Sequence, residues 1–401
     1  MKIAIYHNLP SGGGKRALYE MTRRLAQRHE VDVYTLATAE HDFCDLRPVV
    51  RKHVIFPFQP LPLSKPPFGR LNQGIRSVDL LRVDAVQRRI AAQIDAGGYD
   101  VVFVHNCQFS QSPGLLKFLH TPSVYYCQEP PRQIYEPTIA RPYNRFSRAQ
   151  RLGNLVDPFP GLYRRTLRRL DRANTLAATT VLVNSHYSRE TLYRIYGIFA
   201  HVGRLGVDTE LFRPLSLDKD QRVVSVGALT PNKGFDLVIR SLAQIDASQR
   251  PGLTIISNHV NAAEHGYLRN LADSLGVAVD FRAGVSDDEL VESYNHALLT
   301  VYAPVMEPFG FVPLESMACG TPVVGVNEAG VRETIVHEAT GLLVERDPGR
   351  FAAAIAALLD DPARRASLGR QGRAYVQAEW SWDRAVQSIE DHLARAAHGC
   401  P

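Results

Sequence analysis

Val305-Met-Glu-Pro-Phe-Gly-Phe-Val-Pro-Leu-Glu-Ser-Met-Ala-Cys-Gly-Thr-Pro-Val-Val-Gly325 reads as a loop, a short helix, a tight turn and a strand. Pro313 suits the first turn of a helix, where its missing N–H costs nothing. Glu315 then falls in that first turn, where a carboxylate complements the helix dipole. Gly320 stands where a helix ends in a left-handed residue, and Pro322 stops it. The following Thr-Pro-Val-Val-Gly-Val reads as a short buried strand.

Phe309-Gly310-Phe311 puts a flexible backbone just ahead of a helix N-terminus, a place that binds anions and phosphates above all. Glu307 and Glu315, with seven residues between them, flank it. Two carboxylates would repel a phosphate, so they make better sense as acceptors for the hydroxyls of sugar and ribose. The pattern points to a nucleotide-sugar.

The run from Glu307 to Val324 resembles the Glu-x7-Glu signature of the large retaining glycosyltransferase family often called family 4. Weaker echoes run nearly the full length of the chain. The resemblance implies an α/β GT-B fold: two Rossmann-like, doubly wound parallel-sheet domains facing a cleft, with a C-terminal helix crossing back to the first. Lys233 in Ala228-Leu-Thr-Pro-Asn-Lys-Gly234 matches the lysine of the family's Gly-Arg-x-x-x-x-Lys-Gly, whose Arg and Lys hold the donor diphosphate. The Arg position is Ala228, which removes one cation from a site that stabilises a leaving diphosphate. Arg282 is a candidate to compensate. Ala329-Gly330-Val-Arg-Glu333 resembles the family's Gly-Gly-x-x-Glu, with Ala329 at the first glycine.

The 401 residues suggest two or three domains, and 45% apolar with 22% charged residues is ordinary for a soluble globular protein. Net charge is +5. Cys44, Cys107, Cys127, Cys319 and Cys400 are scattered without a Cys-x-x-Cys pair, which reads as reduced thiols rather than a disulfide frame or zinc site. The apolar run before His7 is too short for a signal-peptide core, and no apolar run of about 18 residues could span a membrane. The expected location is therefore cytoplasmic, with peripheral attachment to the inner membrane face possible in principle.

Lys2-Ile-Ala-Ile-Tyr6, then Pro10-Ser-Gly-Gly-Gly14, then a helical pattern from Arg16 to Arg28 opens a doubly wound domain. On the glycines alone a plain tight turn serves as well as a ligand loop. The resemblance sets Gly13 and Gly14 near the donor phosphates or the acceptor. The proline-rich residues 56–68 read as an irregular loop. Asp100-Val-Val-Phe-Val-His105-Asn106 is a strand ending in polar residues, where open α/β sheets bind ligands. The resemblance has His105 contacting the sugar. Tyr126-Cys-Gln-Glu-Pro-Pro-Arg132 resembles a Tyr-Cys-x-x-Pro-Pro-Arg segment of some bacterial sugar-nucleotide transferases, which implies an acceptor-side loop with Glu129 and Arg132.

Residues 141–172 are densely basic: Arg141, Arg145, Arg148, Arg151, Arg164, Arg165, Arg168, Arg169 and Arg172 face Asp157 and Asp171, with Phe146, Phe159, Leu162, Tyr163 and Leu167 interleaved. A solvated helix face, an anionic membrane surface and a pyrophosphate-bearing lipid all fit. No nucleic-acid recognition motif accompanies it. Val207-Asp208-Thr-Glu-Leu-Phe-Arg-Pro214 resembles the family's interdomain linker, giving domains at 1–209 and 210–380 with residues 381–401 returning. Trp380 and Trp382 fall at that crossover, in a core role.

The implied activity is a retaining, metal-independent transfer of mannose or another hexose from a nucleoside-diphosphate sugar to an acceptor hydroxyl, in bacterial cell-surface polysaccharide or glycolipid synthesis. Lys233 neutralises the leaving diphosphate, aided by the backbone around Gly310. Glu315 holds the ribose. Glu307, with Pro308, Phe309, Gly310 and Phe311, holds the sugar, and no side chain is assigned as nucleophile. No cofactor is implied beyond the substrate, GDP-mannose or a UDP-sugar, with GDP-mannose slightly favoured. The acceptor is lipid-linked or a saccharide. Ala228 keeps a second reading open, a catalytically weak partner subunit of another transferase. Sugar-nucleotide epimerase and phosphorylase are weaker rivals on the same architecture.

Overall fold

The computed structural model describes residues 1–65, 68–144 and 157–399. Its chain divides into two units: described residues 1–138, 157–204 and 385–399 form the first, and 139–144 and 205–384 the second.

The first unit is built on a parallel sheet of β1 (Lys2–Asn8), β2 (Glu30–Leu36), β3 (Lys52–Phe56), β4 (Val101–Cys107), β5 (Ser123–Cys127), β6 (Thr180–Val183) and β7 (His201–Val202). Their order is β3-β2-β1-β4-β5-β6-β7. Every residue of β4 and β5 is buried, as in parallel strands covered on both faces. Around the sheet run α1 (Gly13–Leu25), α2 (Asn72–Asp95), the single-turn α3 (Arg132–Tyr135), α4 (Phe159–Leu176) and α5 (His186–Tyr196). Tyr6, Tyr34, Val102, Val104 and Tyr125 of the sheet share one core with Val83, Ile90 and Ile94 of α2. Sequence patterning overlooks β3. It is the edge strand, half exposed, and begins Lys52-His53, so it lacks the apolar run that marks its neighbours.

The second unit repeats the plan. Its sheet runs β10-β9-β8-β11-β12-β13, all parallel. These strands are β8 (Arg222–Val226), β9 (Gly252–Ser257), β10 (Val279–Ala283), β11 (Thr300–Tyr302), β12 (Val323–Val326) and β13 (Gly341–Val344). The helices are α6 (Phe235–Leu242), α7 (Ala262–Leu275), α8 (Asp287–His296), α9 (Phe311–Ala318), α10 (Val331–Thr334), α11 (Pro348–Asp360) and α12 (Pro362–Glu379). Ser286 caps α8 with a full capping box to Glu289, which anchors the turn after β10.

The last helix, α13 (Trp382–Ala397), starts in the second unit and belongs to the first from Ala385 onward. There Glu390 meets His29 at 2.7 Å and Arg28 at 2.9 Å. Trp380 and Trp382 are buried, but against particular partners: their rings lie 5.6 and 6.3 Å from those of Phe309 and Phe311. The tryptophans thus back the signature loop.

Two local readings change. Helix α9 starts at Phe311, with Gly310 as its N-cap at φ 104°. Pro313 is therefore its third residue and Glu315 its fifth, and the first turn holds no acidic residue. The helix starts early, at Phe311, because Gly310, rather than the proline, makes the bend. Secondly, residues 139–144, which by position fall inside the first domain, belong to the second unit.

Candidate active site

Ligands of open parallel sheets bind outside the carboxyl ends of the strands, at the point where strand order reverses. In the second unit that point lies between β8 and β11. The loops leaving these strands are Gly227–Gly234 and Ala303–Gly310. Lys233 comes from one and Glu307 from the other, and their charged groups meet at 2.7 Å. Both are partly exposed, at 20% and 15% of their side chains, so each can reach a ligand.

The two loops are stitched together. Val305 N donates to Asn232 O at 2.7 Å. Gly234 (φ 68°) passes so close to Ala303 that a Cβ would stand 2.0 Å from its carbonyl oxygen. Gly330 likewise leaves no room for a Cβ, which would meet Pro308 O at 2.2 Å, and its N–H donates to Glu307 O at 2.9 Å. Met306 and Ala329 take positive φ, 50° and 49°, in the same turns. Backbone held in that region by non-glycine residues is over-determined by its surroundings, a common mark of ligand-binding loops. Pro308 and Phe309 lead to the α9 N-terminus, whose N-cap Gly310 brings no side chain of its own. A helix start of this kind is the sort of place that favours anions. Glu315 sits one turn deeper, 7% exposed, and accepts from Tyr294 Oη at 2.9 Å.

Arg282 does not stand in for the missing cation at Ala228: it is half exposed and paired with Asp280 at 2.8 Å. The guanidinium beside the Gly227–Gly234 loop is that of Arg346, which sequence reading passed over. It donates to Ala303 O at 2.9 Å and to Pro304 O, pairs with Glu328 at 2.7 Å, and would stand 3.6 Å from a Cβ at Gly234. Its signal was weak because Glu345-Arg346-Asp347 looks like any charged turn after a strand.

In the first unit the reversal lies between β1 and β4. The glycine loop after β1 enters α1 through Gly12 at φ 139°, and Gly13 opens the helix. Gly14 has a packing reason to be glycine: a Cβ there would stand 2.1 Å from Gln128 Oε1, and Gln128 Nε2 donates to Gly14 O at 3.1 Å. His105 departs from its expected place. It has no exposed surface, and its ring lies 4.4 Å from Phe103 and 5.6 Å from Tyr126, centroid to centroid. Neither ring nitrogen has a hydrogen-bond partner. Burial, with Lys15 nearby, pushes its pKa down to about 3, so the ring is neutral. It lies two residues short of the end of β4, with its side chain buried.

Glu129 and Arg132 are brought together, 3.2 Å apart, and Arg132 is also 3.2 Å from Glu136. They line a cavity of about 220 Å³ with Gln108, Phe109, Gln111 and Gln133. Gln108 and Phe109 sit on a tight turn closed by two backbone bonds between Cys107 and Gln111, 2.8 and 2.7 Å. Amides, an ion pair and one aromatic ring suit a polyhydroxylated, charged ligand.

Behind the cavity Asp171 of α4 accepts from Tyr196 Oη at 2.6 Å and Tyr135 Oη at 3.1 Å, tying α3 to the core. Burial pushes its carboxyl up to about 7. The folded protein therefore keeps this proton over a range where the unfolded chain has lost it. Folding stability falls as pH rises from about 4, the unfolded carboxyl's value, towards 7, and levels off above. Between pH 5 and 7.5 the loss from this group should be about 2 kcal/mol, and Asp171→Asn should remove it; urea melts at the two pH values measure both.

The arginines of α4, Arg164, Arg165, Arg168, Arg169 and Arg172, are exposed alongside Leu162 and Leu176, while Leu167 faces the core. Arg145, Phe146, Arg148 and Arg151 lie outside the described residues. Arg141 leaves the basic surface altogether: it is 7% exposed and paired with Glu264 and Asp236. Among the described residues no helix is long and apolar enough to cross a membrane, and no group of three or more His, Cys, Asp or Glu is placed to hold a metal ion. Among the described residues Cys44, Cys107, Cys127 and Cys319 form no disulfide.

Two Rossmann-like parallel-sheet units of this kind are the GT-B architecture. The chain belongs to glycosyltransferase family 4: the Glycosyltransferase Family 4 profile matches residues 11–211, and the glycosyl transferases group 1 profile matches residues 207–375. A D-inositol 3-phosphate glycosyltransferase of Acidothermus cellulolyticus is 31% identical over 94% of this chain and 84% of its own. The GDP-mannose-dependent alpha-(1-6)-phosphatidylinositol monomannoside mannosyltransferase of Mycobacterium tuberculosis is 35% identical over 52% of this chain and 60% of its own. Among solved structures, sucrose-phosphate synthase from Thermosynechococcus elongatus superposes with a TM-score of 0.75 at 22% identity, over 98% of each chain. Anabaena HepE in complex with UDP and glucose gives 0.71 at 19%, over 98% of this chain and 99% of that one. The enzyme is a nucleotide-sugar glycosyltransferase.

Proposed function

We propose that the enzyme moves mannose from GDP-mannose, with retention and without a metal, to a hydroxyl of a phosphorylated inositol or its glycolipid. The observation that carries this reading is the Lys233–Glu307 pair at the β8/β11 reversal, beside the glycine-led N-terminus of α9. In this reading Lys233 and the α9 N–H groups take the diphosphate, whose charge grows as the sugar–phosphate bond breaks. Glu307 exchanges its ion pair for the sugar hydroxyls. Glu315, already held by Tyr294, accepts from the ribose.

The donor choice draws on the Tyr-Cys-x-x-Pro-Pro-Arg echo and on the mannosyltransferase among the relatives. The acceptor choice draws on the inositol-directed relatives and on the cavity of the first unit, where Arg132 can meet a phosphate and the amides of Gln108, Gln111 and Gln133 can meet ring hydroxyls. The arginines and exposed leucines of α4 favour work at an anionic, cytoplasmic membrane surface when the acceptor is a lipid.

The test is incubation with GDP-mannose in EDTA, with D-inositol 3-phosphate in solution or phosphatidylinositol mannoside in anionic vesicles as acceptor. An α-mannoside in the proton spectrum is expected. A β-mannoside, or transfer only after a divalent metal is added, would overturn this mechanism.

A further inference from the structure

The guanidinium of Arg141 lies between two helix N-termini of the second unit. Its Nη1 and Nη2 donate to Asp236 Oδ2 and Oδ1, at 3.1 and 2.9 Å, in the first turn of α6. Its Nε donates to both oxygens of Glu264 at 3.1 Å, and Nη2 adds a bond of 3.0 Å, in the first turn of α7. Nη2 also reaches Pro231 O at 3.3 Å, inside the Ala228–Gly234 loop. The Tyr267 ring covers the cation at 5.0 Å, and Tyr143 Oη donates to Glu264.

A helix N-terminus disfavours a cation, and this site sets one beside two. Only the two carboxylates make it tolerable, and Glu264 has no exposed surface with which to find another partner. So costly an arrangement on an incoming segment, residues 139–144, gives that segment a fixed seat. The seat is the donor loop itself: Pro231 and Asp236 bracket Lys233.

We propose that Arg141 is a positioning residue for the donor-diphosphate loop. It fixes both ends of the turn that carries Lys233, so that the ammonium is in place before the nucleotide arrives. This rests on the functional reading above for the identity of the ligand, but not for the clamp.

The test uses the full chain and two readouts. Amide hydrogen exchange follows residues 228–237 in the wild type, Arg141→Gln and Arg141→Lys. Calorimetry measures GDP and GMP, or UDP and UMP if the protein takes those. Arg141→Gln should exchange at least tenfold faster in that loop while β12 is unchanged. It should lose about tenfold in affinity for the diphosphate and little for the monophosphate, with part of both restored in Arg141→Lys. Asp236→Asn, which spares the buried Arg141–Glu264 pair, is the second variant should Arg141→Gln not fold, and it should show the same pattern at smaller size. Unchanged exchange in the loop, or equal weakening of diphosphate and monophosphate, would overturn the proposal. If the wild type binds no nucleotide, the donor reading fails instead, and the exchange data alone decide for or against the clamp.

Discussion

Lys233→Met should lower kcat/KM by two to three orders of magnitude and leave the fold intact. The magnitude follows from what an aimed charge does where charge develops: removing one such group typically costs a factor of about 10² to 10³. The fold should survive because the pair with Glu307 is partly exposed, and such pairs contribute about 1 kcal/mol or less. Methionine also keeps the unbranched stem, which packs against Gly227, where a Cβ would lie 3.2 Å from Lys233 Cγ and Cδ. Ala228 sharpens the expectation. With no arginine at that position, and with Arg346 already bonded to two carbonyls and Glu328, Lys233 carries more of the diphosphate charge. Steady-state kinetics beside a thermal melt separate the two effects. A variant within a few-fold of wild type would show that the charge is supplied elsewhere.

Glu315→Gln should weaken nucleotide binding by roughly 2- to 30-fold with little loss of stability. A hydrogen bond to a charged group is worth about 1.5–3 kcal/mol, against about 1 for a neutral one, and the substitution removes that difference at the ribose. Glutamine keeps an oxygen for Tyr294 Oη, so the fully buried tyrosine retains its partner. Glu315→Ala should bind still more weakly, but it leaves that hydroxyl unpaired and is destabilised by about 1–3 kcal/mol. The pair of variants therefore separates loss of the ribose contact from loss of packing.

The signature stretch shows how far sequence carries. Glu-x7-Glu with its glycines and prolines located the reversal-point loop, because those residue types answer to local backbone demands that any relative must meet. Gly320 does take a positive φ, 73°, after α9. The helix start was misplaced by a few residues, since Pro313 is allowed anywhere in the first turn and the deciding bend belongs to Gly310. His105 was placed by its position on the strand and by the resemblance. That both faces of β4 are buried, with the rings of Phe103 and Tyr126 beside the imidazole, is a tertiary fact. Arg141 was counted with a basic run because charge spacing cannot reveal that Asp236 and Glu264, about a hundred residues away, surround it. Arg346 was passed over for the same reason: its value lies in the carbonyls of a distant loop.

The most direct test of the site is a calorimetric titration of GDP-mannose and UDP-glucose, in EDTA, into the wild type and Glu315→Gln. Binding of GDP-mannose by the wild type, weakened roughly 2- to 30-fold in Glu315→Gln at an unchanged melting temperature, is the expected result. Equal affinity in the two proteins would contradict it, and would move the nucleotide away from the loop between β11 and α9.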